Sequence, residues 1–144
     1  MTPTQVRDEQ GAVAVEFAIL VPVLVLLFGL VVGGARVWLA RATVDHMAVA
    51  AARAASLART AEAAEREAGQ LARAQATTDG LRCGVLAVEV DVRSFAVPVG
   101  QPARTSVDVT CTVPLADLIV PGWPGELQVT ASAESVLDRY RARS

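Results

Sequence analysis

The pattern of apolar and polar positions divides the chain into three stretches of different period. From Phe17 to Ala35 no charged residue occurs. As a helix, that run is roughly 28 Å long at 1.5 Å per residue, about the hydrocarbon thickness of a bilayer. The run therefore predicts a transmembrane helix, which we place at 12–36. From Val37 to about Gln75 the composition shifts to Ala, Arg and Glu, all good helix formers. Val37, Val44, Ala48, Ala51, Ala55 and Ala58 recur at helical spacing. The membrane helix is thus expected to continue outward at least to Ser56 or Leu57. Thr60 suits an N-cap, with Glu62 in the first turn of a second helix from Ala61 to about Ala76. Thr77-Thr78-Asp79-Gly80 ends it.

Beyond residue 80 the period falls to two. Leu86, Val88, Val90 and Val92 alternate with polar or small residues, as do Val107, Val109, Cys111 and Val113, and then Leu127, Val129, Ala131 and Ala133. Each run offers one apolar face, as a half-buried antiparallel sheet requires. Turns are marked by Val97-Pro98-Val99-Gly100-Gln101-Pro102 and by Pro121-Gly122-Trp123-Pro124-Gly125. Matching apolar faces pairs Leu86 with Val109 and Val88 with Val107, which sets Gly84 opposite Cys111. A bridge from Cys83 to Cys111 then needs an irregularity at Cys83-Gly84, and glycine is a frequent bulge residue. The expected fold class is α+β: a long N-terminal transmembrane helix continuing outside the membrane, a second helix, then a three-stranded antiparallel sheet. The helical region outside the membrane covers 37–77 and the sheet region 78–144.

Composition narrows the function. A net charge of -2 gives no nucleic-acid footprint. Cys83 and Cys111 are the only cysteines. In a small extracytoplasmic domain such a pair reads as a disulfide, contributing about 3 kcal/mol on the chain-entropy model; two unrelated buried thiols are the other reading. The flanking charges lean weakly toward a cytoplasmic trailing side, through Arg36 and Arg41. The cysteine pair points the other way, and we expect the C-terminal part outside the cytoplasm. His46 lies beside Asp45, yet neighbouring helical residues do not face each other. No catalytic set, phosphate-cradling loop or metal cluster is visible, so no enzyme, cofactor or metal ligand is expected.

Glu16 interrupts the apolar segment near its start. An ionisable group costs about 2.5–3.5 kcal/mol at mid-membrane and less near an end. A free α-amine on Ala12, with a reference pKa of about 8, would lie one helical turn away on the same face. Pairing of the two charges, within one chain or between neighbours, would relieve both. Pro22 removes a backbone bond within the run and is expected to kink it. Gly29 and Gly33 form a G-xxx-G pair that admits a close neighbour.

Gly11, then Glu16-Phe17-Ala18-Ile19-Leu20-Val21-Pro22, then the long apolar run resembles the processing site of type IV pilin-like precursors. Ala51-Ala52-Arg53-Ala54-Ala55 and the late Glu134 to Arg141 stretch are similar to the TadE-like pseudopilins of tight-adherence (Flp) pilus systems. The resemblance implies a leader at 1–11, cleavage by a prepilin peptidase between Gly11 and Ala12, and docking through Glu16 and Phe17. It implies partners in the membrane: other pilin or pseudopilin subunits and a pilus assembly platform. The protein would then sit in the cytoplasmic membrane and pass to the pilus or cell surface on assembly. One departure is a leader with Arg7 as its one basic residue. The alternative is an uncleaved, single-pass anchored protein that binds a partner outside the membrane.

Overall fold

The computed structural model describes residues 6–116 and 125–140, with side chains from residue 14 onward. Helix α1 runs from Val6 to Leu57, 52 residues, and helix α2 from Ala61 to Thr78. Strands β1 (Val85–Val90), β2 (Arg104–Pro114) and β3 (Glu126–Val136) form one antiparallel sheet in the order β1-β2-β3. A 3-10 turn at Val92–Ala96 follows β1. The architecture is the expected α+β arrangement.

The helix ends follow from local chemistry. The Ala58 amide donates to the Ala55 carbonyl and tightens the end of α1. Two residues later the Thr60 hydroxyl accepts from the Ala63 amide at 3.1 Å, satisfying one of the unpaired donors that open α2. At the far end Gly80 takes a φ of 67°. Its amide donates to the Thr77 carbonyl, and the Leu81 amide reaches back to Ala76 at 2.9 Å. That is a Schellman ending, completed by Leu81 packing against the core near Ala76. Glycine fits this position because it alone carries no Cβ penalty at positive φ.

Packing explains the alanines. Ala64, Ala68, Ala72 and Ala76 lie four residues apart on α2 and all are buried, with Gly69 beside them. They share one core cluster with Val44, Met47, Ala48, Ala51, Ala52, Ala55 and Ala58 of α1. Small side chains let the two helix axes come close, and the sheet covers what remains. α1 touches both β2 and β3, while α2 touches β1. Val107, Val109, Cys111, Val129 and Ala131 supply the inner face of the sheet. Fully burying a side chain such as Met47 or Val107 stabilises the fold by about 1.5–3 kcal/mol. Two part-buried hydroxyl bonds tie neighbouring segments. Ser135 donates to Ser56 across sheet and helix at 3.0 Å, and Thr105 donates to the Asp91 carbonyl at 3.0 Å.

Two strand expectations need correction. The β1–β2 register sets Leu86 opposite Cys111, Val88 opposite Val109 and Val90 opposite Val107, two residues from the pairing that face-matching suggests. Val92 does not continue β1. The Asp91 carboxylate accepts from the Arg93 amide and turns the chain into the 3-10 segment, which buries Phe95. The third strand is as expected but longer. The turn at 121–124, with Trp123, and the terminal Arg141 lie outside the described residues.

Cys83 and Cys111 are bridged, with Cα atoms 5.3 Å apart. β1 begins only at Val85, and the Gly84 amide donates to the Thr112 carbonyl at 2.7 Å. In the β1–β2 register Thr112 is the partner of Val85 instead. The ladder is therefore irregular at Cys83-Gly84, beside the bridge. A Cβ added at Gly84 would stand 3.6 Å from the Thr112 carbonyl oxygen, ordinary contact, so space is not what requires glycine there.

Candidate functional site

The sequence points to the first half of α1, and the structure puts that half by itself. From Ala14 to Phe28 every residue is exposed, the large side chains Phe17, Leu20, Leu24 and Phe28 among them. From Val44 to Ala58 the same helix presents a buried stripe. A single helix therefore carries an apolar surface that no part of this chain covers and a second surface that this chain covers fully. Among the described residues, Ala14–Leu57 meets the length and hydropathy expected of a membrane span, with none of its most apolar window buried. That fits one N-terminal single-pass anchor. The match in length alone would also admit a signal sequence; here the helix continues directly into the folded part through Ala40 and Val44, both buried.

Gly11 and Ala12 lie within the helical backbone of α1, and Glu16 and Phe17 follow one turn later, both exposed. Ala12 and Glu16 are four residues apart in one continuous helix, so they share a face. Pro22 falls inside α1, which continues through it. Gly29 is half-buried and Gly33 buried, while a Cβ added at Gly34 would meet nothing within 4 Å. Glycine in a helix interior costs about 1 kcal/mol relative to alanine, and packing within this chain gives Gly34 no compensation. At the close of the apolar run Arg36 and Trp38 are exposed, Trp38 at 69 %. This is the arrangement of cation and indole found at a membrane–water boundary.

Outside α1 several polar groups have structural partners. Asp91 receives two bonds from the Arg93 guanidinium, at 2.9 and 2.8 Å. These side-chain bonds, helped by the Arg93 amide, hold its carboxyl at about 2, below the ordinary 3.8. The same pair raises Arg93, chiefly through the side-chain bond to Asp91. The outer sheet face is polar: Thr110 bonds Thr130 at 3.0 Å, Ser132 bonds Asp108, and Arg104 meets Glu134 at 3.6 Å. His46 and Asp45 are both exposed on α1. Among the described residues no group of three or more His, Cys, Asp or Glu comes together. Sequence reasoning missed the Asp91–Arg93 clasp. An Asp two residues before an Arg, at the point where alternation fails, was its available signal.

Comparison with known proteins bears on the same helix. Neither the curated proteins nor the solved structures gave a match. Residues 11–53 match the family model described as TadE-like protein. The matched segment opens at Gly11, takes in Glu16, Phe17, Pro22 and the whole apolar run, and closes within the buried stripe at Arg53. Over residues 11–53, the anchor helix and the start of the buried stripe, the chain is similar to the TadE-like family.

Proposed function

We propose that the protein is a minor pilin or pseudopilin of a tight-adherence (Flp) pilus or a related secretion machine. It is made as a membrane-held precursor with its sheet domain outside the cytoplasm. A prepilin peptidase cuts between Gly11 and Ala12 and removes the leader 1–11. The new Ala12 ammonium and the Glu16 carboxylate then pair, either in one chain or between adjacent subunits, and Phe17 packs beside them. Pro22 bends the rod within the span. The apolar side of α1 docks against other pilin subunits or the assembly platform.

One observation carries this reading. The TadE-like match begins at Gly11 on a helix that from Ala14 to Phe28 is apolar, Glu16 apart, and uncovered by the chain itself. A helix of that kind requires lipid or other helices around it. The Cys83–Cys111 bridge supports an oxidising compartment for the sheet.

The deciding experiment is intact N-terminal mass spectrometry of the membrane fraction, taken from cells that are building pili. The expected mature terminus is Ala12, methylated or free. A chain that keeps Met1 in such cells refutes the processing step and leaves the uncleaved anchor. In parallel, Glu16→Val is expected to insert normally and fail to assemble. Removing the carboxylate strands the amine in lipid, which typically costs more than the pair is worth.

A further inference from the structure

A groove runs along the two helices where the sheet does not reach. It consists of two adjoining hollows, of about 460 and 360 Å³, that share Ala54 and Leu71. The described residues that line them belong to α1 and α2. Ala50, Ala54 and Ala74 contribute small side chains, which admit a third helix at close range. Val49 and Leu71 stand beside them, exposed at 55 and 39 %. The groove also continues the anchor. Leu39, Ala42, His46, Val49 and Arg53 recur at alternating spacings of three and four, one face of a continuous helix, and none is buried. Carried back at the same spacing, that face reaches Ala35, Val32 and Phe28 within the apolar run.

The anchor and the levels of the side chains identify the occupant. Two copies held by the same N-terminal span stand parallel, at one height in a bilayer. α2 folds back beside α1 through the short connection after Leu57. At about 1.5 Å per residue, Arg53 lies about 6 Å below that connection and Glu67 about 9 Å below it. Val49 and Leu71 lie about 12 and 15 Å below it. A parallel copy whose α1 enters the groove therefore brings its Arg53 to the level of Glu67, and its Val49 to the level of Leu71. Among the described residues neither Arg53 nor Glu67 has an ion pair. The groove is thus complementary to itself in charge and in apolar contact, as an interface between identical subunits across a two-fold axis requires.

We propose that this groove receives α1 of a second copy of the chain, across a two-fold axis along the membrane normal. Each α1 lies between α1 and α2 of the other copy, so the four helices form one layer with a sheet on either side. Each Arg53 turns away from the axis to the other copy's Glu67, and each Val49 packs on the other copy's Leu71. The contact runs down the rod through Leu39 into the span. This deepens the docking of α1 proposed above by naming its partner and its face. It rests on α1 being a membrane anchor and is independent of cleavage at Gly11.

The test is sedimentation equilibrium of the full chain in density-matched detergent micelles, where a dimer is expected. Arg53→Glu and Glu67→Arg should each weaken it by about 10-fold or more, because each removes two symmetry-related pairs and sets like charges opposite. The double variant Arg53→Glu with Glu67→Arg should return to within about 3-fold of the parent, the signature of a direct pair. Val49→Lys should abolish the dimer. All three positions are exposed, so each variant should keep the parent's melting curve. A monomer, or an oligomer larger than two, overturns the interface. A dimer that none of these substitutions changes is held by the span alone and overturns it too, as does a double variant as weak as the single ones. Flotation with phosphatidylcholine vesicles separates this inference from the reading beneath it. A chain that floats and stays monomeric loses only the groove contact, whereas one that does not float loses the anchor as well.

Discussion

The two halves of α1 are built from the same kind of small and aliphatic residue and meet opposite surroundings. From Ala14 to Phe28 the side chains are exposed all round the helix. From Val44 to Ala58 one face is sealed by α2 and the sheet while Asp45, His46, Arg53 and Leu57 stay outside. The difference lies in size and periodicity. The first half uses Leu, Val, Ile and Phe on every side, as a helix solvated by lipid does. The second keeps Ala on the side where another helix must come close, and puts charge on the side that meets water. One helix thus has its partner supplied from outside the chain along its first half and from within the chain along its second.

The sharpest way to break this comparison is to place one carboxylate in each half. Ala51→Asp buries an unpaired charge at a fully buried position and should cost upwards of about 4 kcal/mol, abolishing the cooperative melt of the folded part while membrane insertion persists. Leu24→Asp should do the reverse, leaving the melt intact and weakening insertion by about 3 kcal/mol in a translocation assay. If both variants lose the same property, the division of the helix is wrong.

Next in size is the bridge between the strands. Replacing Cys83 and Cys111 with Ser should cost about 3–4 kcal/mol by loss of the closed loop, seen as a lower denaturation midpoint of the sheet domain with no change in flotation. A smaller effect belongs to the connection between the helices. Thr60→Ala removes the acceptor for the Ala63 amide and should cost about 1 kcal/mol in the same melt, with Thr60→Ser restoring most of it.

The smallest effect is a titration outside the membrane. The Asp91 carboxyl is depressed to about 2, first by the Arg93 side-chain bonds, so the clasp is fully formed above the ordinary value of 3.8 and is lost as pH falls toward 2. Carboxyl chemical shifts followed by NMR should report that midpoint, and Arg93→Ala should return it to the ordinary range. Because both groups are on the surface, global stability should barely respond.

Most of the architecture was legible because its periods are clear. The apolar run, the alanine spacing of both helices, the Thr60 cap and the Gly80 ending each state their own geometry. The β1–β2 register was not legible, for a definite reason. A slip of two residues keeps every side chain on its face, so Leu86 opposite Val109 and Leu86 opposite Cys111 satisfy the same pattern. What separates them is the path through Val92–Ala96, and that depends on Asp91 folding back on Arg93. The resemblance to the TadE-like family around Gly11 and Glu16 was readable, since its residues are close in sequence.

α1 passes from the apolar run to the buried stripe as one helix, and this fixes a bearing as well as a height. Every residue of an α-helix turns the chain by about 100° and lifts it by about 1.5 Å. The azimuth of the sheet around the rod is therefore set by the number of residues between Ala35 and Val44. Inserting one alanine there would leave anchor and fold intact yet swing the sheet more than a quarter of a revolution around the membrane normal. Four inserted residues would bring its heading back to within about 40°, about 6 Å farther from the lipid.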